Sequence, residues 1–136
     1  MRTHFTYVAA GVVIAAVLAL GGQGVGGQQQ PSVERKVLLQ QDLTIPGYQA
    51  VLVQVTIPVG GREGRHTHPG TLLVHVLEGA LTFEHEGRPA RTYRAGESLT
   101  AEPGKIHEGI NGGNTPVRAI ATFIVEKDKP LASQVP

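Results

Sequence analysis

No cysteine occurs in the 136 residues. Disulfides, thiolate metal sites and a lipidated N-terminal cysteine are therefore all excluded, and the chain is compatible with an oxidising compartment. Tryptophan is also absent and aromatic residues make up only 4%, which argues against a base-stacking surface for single-stranded nucleic acid. Charge of either sign is scarce. The chain has 12 basic and 11 acidic residues, and without Arg2 the two are equal. With no basic stripe, neither nucleic acid nor anionic lipid is an expected partner. Helical periodicity is missing from every window beyond the N-terminal segment.

What the chain does have is 18 glycines and 9 prolines, a density of turn formers that favours an all-β class. Its length suits one domain rather than two. The first residues carry Arg2, Val8–Leu20 is an unbroken apolar and small-residue run, and Gly21–Gln30 is small and polar. That order is the layout of a secretory signal. The apolar run is shorter than the roughly 20 residues of a membrane-spanning helix. Residues 1–27 are expected to be a signal helix, cleaved on export to the periplasm or exterior. The alternative is an uncleaved anchor in the inner membrane, since no clean A-x-A cleavage pattern lies near Ala19–Gly27. Residues 28–35 read as a linker, 36–126 as the folded domain and 127–136 as a loose polar tail.

Within the domain, short apolar runs are cut by Gly/Pro turns. Lys36–Leu43 is a first strand. In Gln49–Ile57, Val51, Val53, Val55 and Ile57 alternate with Leu52, Gln54 and Thr56, the period of a half-buried strand. Leu72–Leu77 and Ala80–His85 flank Gly79 and are expected to form a hairpin. Further strands fall at Arg91–Arg94, Ser98–Ala101, Ile106–Ile110 and Val117–Glu126. Eight or more short strands mean a sandwich or a barrel.

Six histidines stand out, of which His4 falls in the signal. His66 and His68 are two apart, so on a strand they share a face with Cα atoms about 6.6 Å apart. Two imidazoles so placed can reach one ion, or can equally be an exposed or hydrogen-bonded pair. A third ligand has to come from another strand, and His107 lies behind a Pro-Gly turn that can bring it across a barrel. His75 is expected on the opposite face from Leu72, and His85 in solvent at a hairpin end. Glu63, Glu102 and Glu108 are expected to be exposed. Arg62 and Arg65 are either guides for an anion or ordinary surface charge. Leu72, Val74, Val53, Val55 and Phe123 are candidates for a pocket wall or plain core.

The flanking residues tip the balance. Gly60, five residues, His66-Thr67-His68 and then Gly79 resemble the first motif of the cupin superfamily. Gly96, followed by Gly104, two residues, His107, three residues and Asn111, resembles the second. The likeness covers about residues 36–126 and is to a small single-domain bacterial cupin. It implies a double-stranded β-helix, or jelly-roll barrel, with a metal in its mouth held by His66, His68 and His107. The family's turn glycines match Gly60, Gly79, Gly96 and Gly104.

Two positions depart from the family pattern. Leu72 stands where a glutamate ligand is expected, and Glu102 where a proline is expected, with Pro103 shifted by one. Without the carboxylate, three neutral imidazoles leave a divalent ion its full charge and open positions. Iron, manganese, nickel, zinc and copper all suit imidazole. Three-histidine iron sites occur within the cupins in thiol dioxygenases, so the resemblance leaves enzymatic activity open.

Three functions compete on this basis: a metal-dependent, oxygenase-like enzyme acting on a small organic substrate, a non-catalytic metal- or small-molecule-binding protein of the periplasm, and a structural barrel. Homodimers pairing through edge strands, with Lys36–Leu43 as donor, are implied by the resemblance.

Overall fold

The computed structural model describes residues 29–136. The expected signal or anchor over residues 1–27 lies outside the described residues. Among those described there are ten strands and no helix, and so none long and apolar enough to cross a membrane. The strands are β1 (Glu34–Asp42), β2 (Tyr48–Ile57), β3 (His66–Thr67), β4 (Thr71–Glu78), β5 (Ala80–His85), β6 (Arg88–Arg94), β7 (Ser98–Ala101), β8 (His107–Ile110), β9 (Val117–Glu126) and β10 (Ser133–Gln134). They form two five-stranded antiparallel sheets, β1-β2-β9-β4-β7 and β10-β3-β8-β5-β6. This is the expected jelly-roll arrangement.

Alternation in the sequence is alternation in space. Val51, Val53, Val55 and Ile57 of β2 all point inward, as do Val117, Ala119, Ala121, Phe123 and Val125 of β9. The two strands pair without interruption from Tyr48↔Glu126 to Ile57↔Val117. These residues meet Leu81 and Phe83 of the second sheet in one apolar core. β5, β7 and β9 have the boundaries read from the sequence. β1 begins two residues earlier than expected and is exposed along its whole length at the sheet edge.

The expected hairpin across Gly79 does not form. β4 pairs with β7 and β9, whereas β5 pairs with β6 and β8 in the other sheet. Gly79 is the point at which the chain changes sheets. It holds φ at +78°, and a Cβ there would sit 2.5 Å from the Pro116 carbonyl oxygen. Only glycine tolerates both the angle and the approach. Apolar runs either side of a glycine look alike whether the chain folds back on its neighbour or crosses to the facing sheet.

Asn111 closes the end of the barrel. Its side chain is buried and donates from Nδ2 to the carbonyls of Ile57 and Thr115, each at 2.9 Å, while Oδ1 accepts from the Gly113 amide at 3.0 Å. It ties β2, β8 and the following turn together. Asn111→Ala orphans these backbone groups, and a loss of about 2–4 kcal/mol is expected in urea-induced unfolding.

Candidate metal centre

The two histidine-bearing segments are neighbours rather than opposites. β3 and β8 pair antiparallel with His66 directly across from His107, a placement that brings Cβ atoms within about 5.5 Å. His68 follows the end of β3 and its backbone carbonyl accepts from the Gly104 amide at 2.9 Å. The Pro-Gly turn therefore delivers His107 beside β3, not across the barrel as the sequence suggested. All three imidazoles are buried, with one ring nitrogen from each lying within 4.8 Å of the other two. Their ring centroids are 4.5–4.8 Å apart.

Backbone carbonyls set the tautomers. His66 Nδ1 lies 2.7 Å from the Gly64 carbonyl, His68 Nδ1 2.6 Å from that of Leu131, and His107 Nδ1 3.0 Å from that of Lys105. A carbonyl only accepts, so each Nδ1 carries the proton and each Nε2 keeps its lone pair. His107 Nε2 is buried without a hydrogen-bond partner. Three lone pairs converging in a dry pocket, one of them orphaned, fit a divalent cation. Bound there, such an ion would supply Lewis acidity or, for a redox metal, electron transfer.

A bidentate ion pair braces His66 from outside. Glu108 receives Arg62 Nε at 2.9 Å and Nη2 at 2.7 Å, and also the Gly64 amide at 3.2 Å. Gly64, at φ +78°, in turn presents its carbonyl to His66. The Arg62 guanidinium holds the Glu108 carboxyl below the usual range. Glu108 is only 4% exposed, so the expectation of a solvent-facing side chain is corrected: Arg62 neutralises it, which allows its burial. Glu63 is likewise half-buried, paired with Arg35 at 3.1 Å. Arg62 is spent on Glu108, and Arg65 is exposed and donates to the Pro136 carbonyl.

His85 also departs from expectation. It faces inward at 8% exposure, directly across from His107 on β5, with the two rings stacked 6.2 Å apart. Leu81, Phe83 and His85 alternate inward, a signal present in the sequence but overridden by the polar neighbours Glu84 and Glu86. His85 Nε2 lies 2.8 Å from Glu102 Oε2, outside hydrogen-bond geometry, and Glu102 also contacts Arg88. Glu102 is exposed, as expected, and His75 points outward, its ring nitrogen 2.8 Å from the Ser98 hydroxyl.

A cavity of about 170 Å³ is lined by His66 and His68, whereas His107 borders a separate surface pocket together with His85. Leu72, Val74, Val53, Val55 and Phe123 all line the cavity, so the candidate wall residues are wall. Phe123 packs its ring edge on His68 at 4.9 Å. Leu72 pairs with its neighbour Phe123 within the sheet that faces the histidines, which puts an isobutyl group where a carboxylate would have stood. Among the described residues the charged ones lining the cavity are Arg35 and Glu63. Their pairing carried no signal in the sequence, because it spans 28 positions.

The profile of the family described as "Cupin domain" matches residues 53–123, more than half of the chain. No curated protein matches it. Among solved structures, an uncharacterised protein with a double-stranded β-helix domain from Klebsiella pneumoniae is 21% identical over 79% of this chain and 90% of that one, with a TM-score of 0.63. A cupin-like protein from Thermotoga maritima is 20% identical over 76% of this chain and 75% of that one, with a TM-score of 0.60. A recombinant oxalate oxidase in complex with glycolate is 24% identical over 75% of this chain, which spans 55% of that one, with a TM-score of 0.59. At these identities the likeness is one of fold.

Burial pushes His68 and His107 from 6.5 down to about 4. In the folded protein both stay neutral where the unfolded chain takes up protons. Their contribution to stability is complete above about pH 6.5 and is lost as pH falls toward 4. Chelator-treated protein should therefore show a falling urea midpoint across that window, and His68→Gln/His107→Gln a shallower fall.

Proposed function

The chain belongs to the cupin family, and from that premise we propose that it is an exported metalloprotein whose three-histidine centre acts as an oxygenase-like enzyme on a small organic substrate. The observation that carries this reading is the convergence of His66, His68 and His107, the first two of which line an apolar cavity. Three ligands leave coordination positions open, and Leu72 does not fill them with a carboxylate. An apolar cavity of about 150 Å³ holds a benzene-sized molecule, so the 170 Å³ here suits a compact substrate. Its body would lie against Val53, Val55, Val74 and Phe123, with a polar end at the histidines. Arg35 offers guanidinium donors beyond the one engaged by Glu63 to any acceptor at the far end of the substrate. A fold neighbour solved with glycolate, a small hydroxy acid, agrees with a ligand of this size.

One observation favours a second reading, a non-catalytic cupin that binds a metal or small molecule. Among the described residues Glu63 is the one carboxylate lining the cavity, and it is tied to Arg35, so those residues offer no free general acid or base beyond the histidines themselves. Oxygen uptake decides between them. Protein loaded with iron, nickel, copper or manganese and offered flavonols, diketones or thiols should consume O₂ with at least one pairing. His107→Ala should abolish that turnover and reduce metal content from about one equivalent per chain to a small fraction. If no pairing consumes O₂ while one equivalent of metal is retained, the binding reading replaces the enzymatic one.

Export rests on the sequence of residues 1–27, and we infer a homodimer through β1. Val37, Leu38 and Leu39 on that edge are 57%, 46% and 52% exposed, and an apolar open edge favours pairing with a second copy. Native mass spectrometry of protein recovered from the periplasm reads both at once. A dimer of chains shortened by about 20–30 residues is expected, and a full-length monomer in the membrane fraction contradicts both.

A further inference from the structure

We propose that the segment Pro130–Pro136 is a working part of the metal centre, the positioning element for His68. The three ligand histidines are not held alike. His66 and His107 each donate from Nδ1 to a carbonyl two residues back in their own chain segment, Gly64 and Lys105. His68 instead donates to the carbonyl of Leu131, 63 positions away, and does so at the shortest of the three distances, 2.6 Å. Local folding just before β3 and β8 fixes two of the rings. The third is fixed only if the far end of the chain comes back.

Several further contacts bring it back. Ser133 and Gln134 pair with Thr67 and His66. The Val135 amide donates to the Arg65 carbonyl at 3.0 Å, and Arg65 Nη1 to the Pro136 carbonyl at 3.1 Å. The Leu131 side chain packs against the core and lines the cavity beside His68. One segment thus covers the open edge of β3 and supplies the acceptor that commits His68 Nε2 to the ion. Undocked, it leaves Nδ1 to water, where imidazole takes either tautomer and its ring is no longer held in line with the others. Docking of the segment and ion binding are therefore coupled, each strengthening the other. Anything that peels β10 from β3 removes a backbone partner of His66 and the acceptor of His68 Nδ1, and so weakens the centre without altering a ligand side chain.

This inference rests on the metal reading, and its test separates the two. Long-range ¹H–¹⁵N NMR of the unaltered, metal-free protein near pH 7 should show His68 as the Nδ1–H tautomer. An Nε2–H ring there overturns the proposal whatever the metal data say. In full-length Ser133→Pro/Val135→Pro, which removes the Val135 amide donor to the Arg65 carbonyl and disturbs the pairing of β10 with β3, His68 should show mixed tautomers while His66 and His107 keep theirs. Zinc affinity should fall about 10- to 100-fold, the usual loss for a partner that orients a ligand. The milder Val135→Ile should retain parental affinity and tautomers. An unchanged His68 tautomer with unchanged zinc affinity in the double variant overturns the proposal. If the double variant fails to fold, Val135→Pro alone and the tautomer of the unaltered protein decide. A parent protein that binds no zinc, iron or copper defeats the metal reading, and the tautomers still decide whether the segment positions His68.

Discussion

Burying an imidazole is costly unless its ring nitrogens find partners, and much of this barrel can be understood from meeting that demand at Nδ1 three times within one site. Each Nδ1 is matched to a backbone carbonyl, and backbone carbonyls can be aimed only by fixing the chain that carries them. The left-handed turn at Gly64, the ion pair of Arg62 with Glu108, the turn at Gly104 and the return of the chain end at β10 are all ways of doing so. The apolar wall of the opposite sheet then keeps water from competing for the lone pairs. A desolvated, neutral imidazole is the form a metal ion requires, and the same desolvation lowers the basicity of His68 and His107.

The barrel class and the convergence of three histidines were legible because they rest on short-range regularities. Period-two alternation in β2 and β9 survives in the structure residue by residue, since one face of each strand is buried and a slip of one position would invert it. The histidine spacing was legible because the motif glycines and histidines lie in two compact segments. The substitution of Leu72 for a carboxylate was visible for the same reason, and the inward orientation of Leu72 gives that change a direct bearing on the site.

The parts that escaped depend on long-range partnership. Glu108 looked like a surface acid because nothing near it in sequence shows that Arg62, 46 positions earlier, will neutralise it. Arg35 with Glu63, and His68 with Leu131, are of the same kind. His85 is a different case. Alternation from Leu81 through Phe83 pointed inward, but two flanking glutamates suggested solvent, and geometry prevailed over local polarity. The missed crossing at Gly79 reflects another limit. A glycine break announces a change of direction, while which sheet receives the next strand is decided by pairing energies distributed over the whole fold.

All three clustered histidines belong to or border the β10-β3-β8-β5-β6 sheet, whereas the cavity wall comes largely from β2, β4 and β9 of the other. The two layers can therefore vary with little interference. Exchanges among valine and alanine on the β2–β9 face, away from the Phe123 ring that packs on His68, would reshape the space offered to a guest while leaving the donor set intact, so new selectivity need not be acquired at the expense of the centre itself. For a barrel this small, that separation is an evolutionary freedom, and it marks the inward positions of β2, β4 and β9 other than Phe123 as the natural ones to randomise in a directed-evolution library.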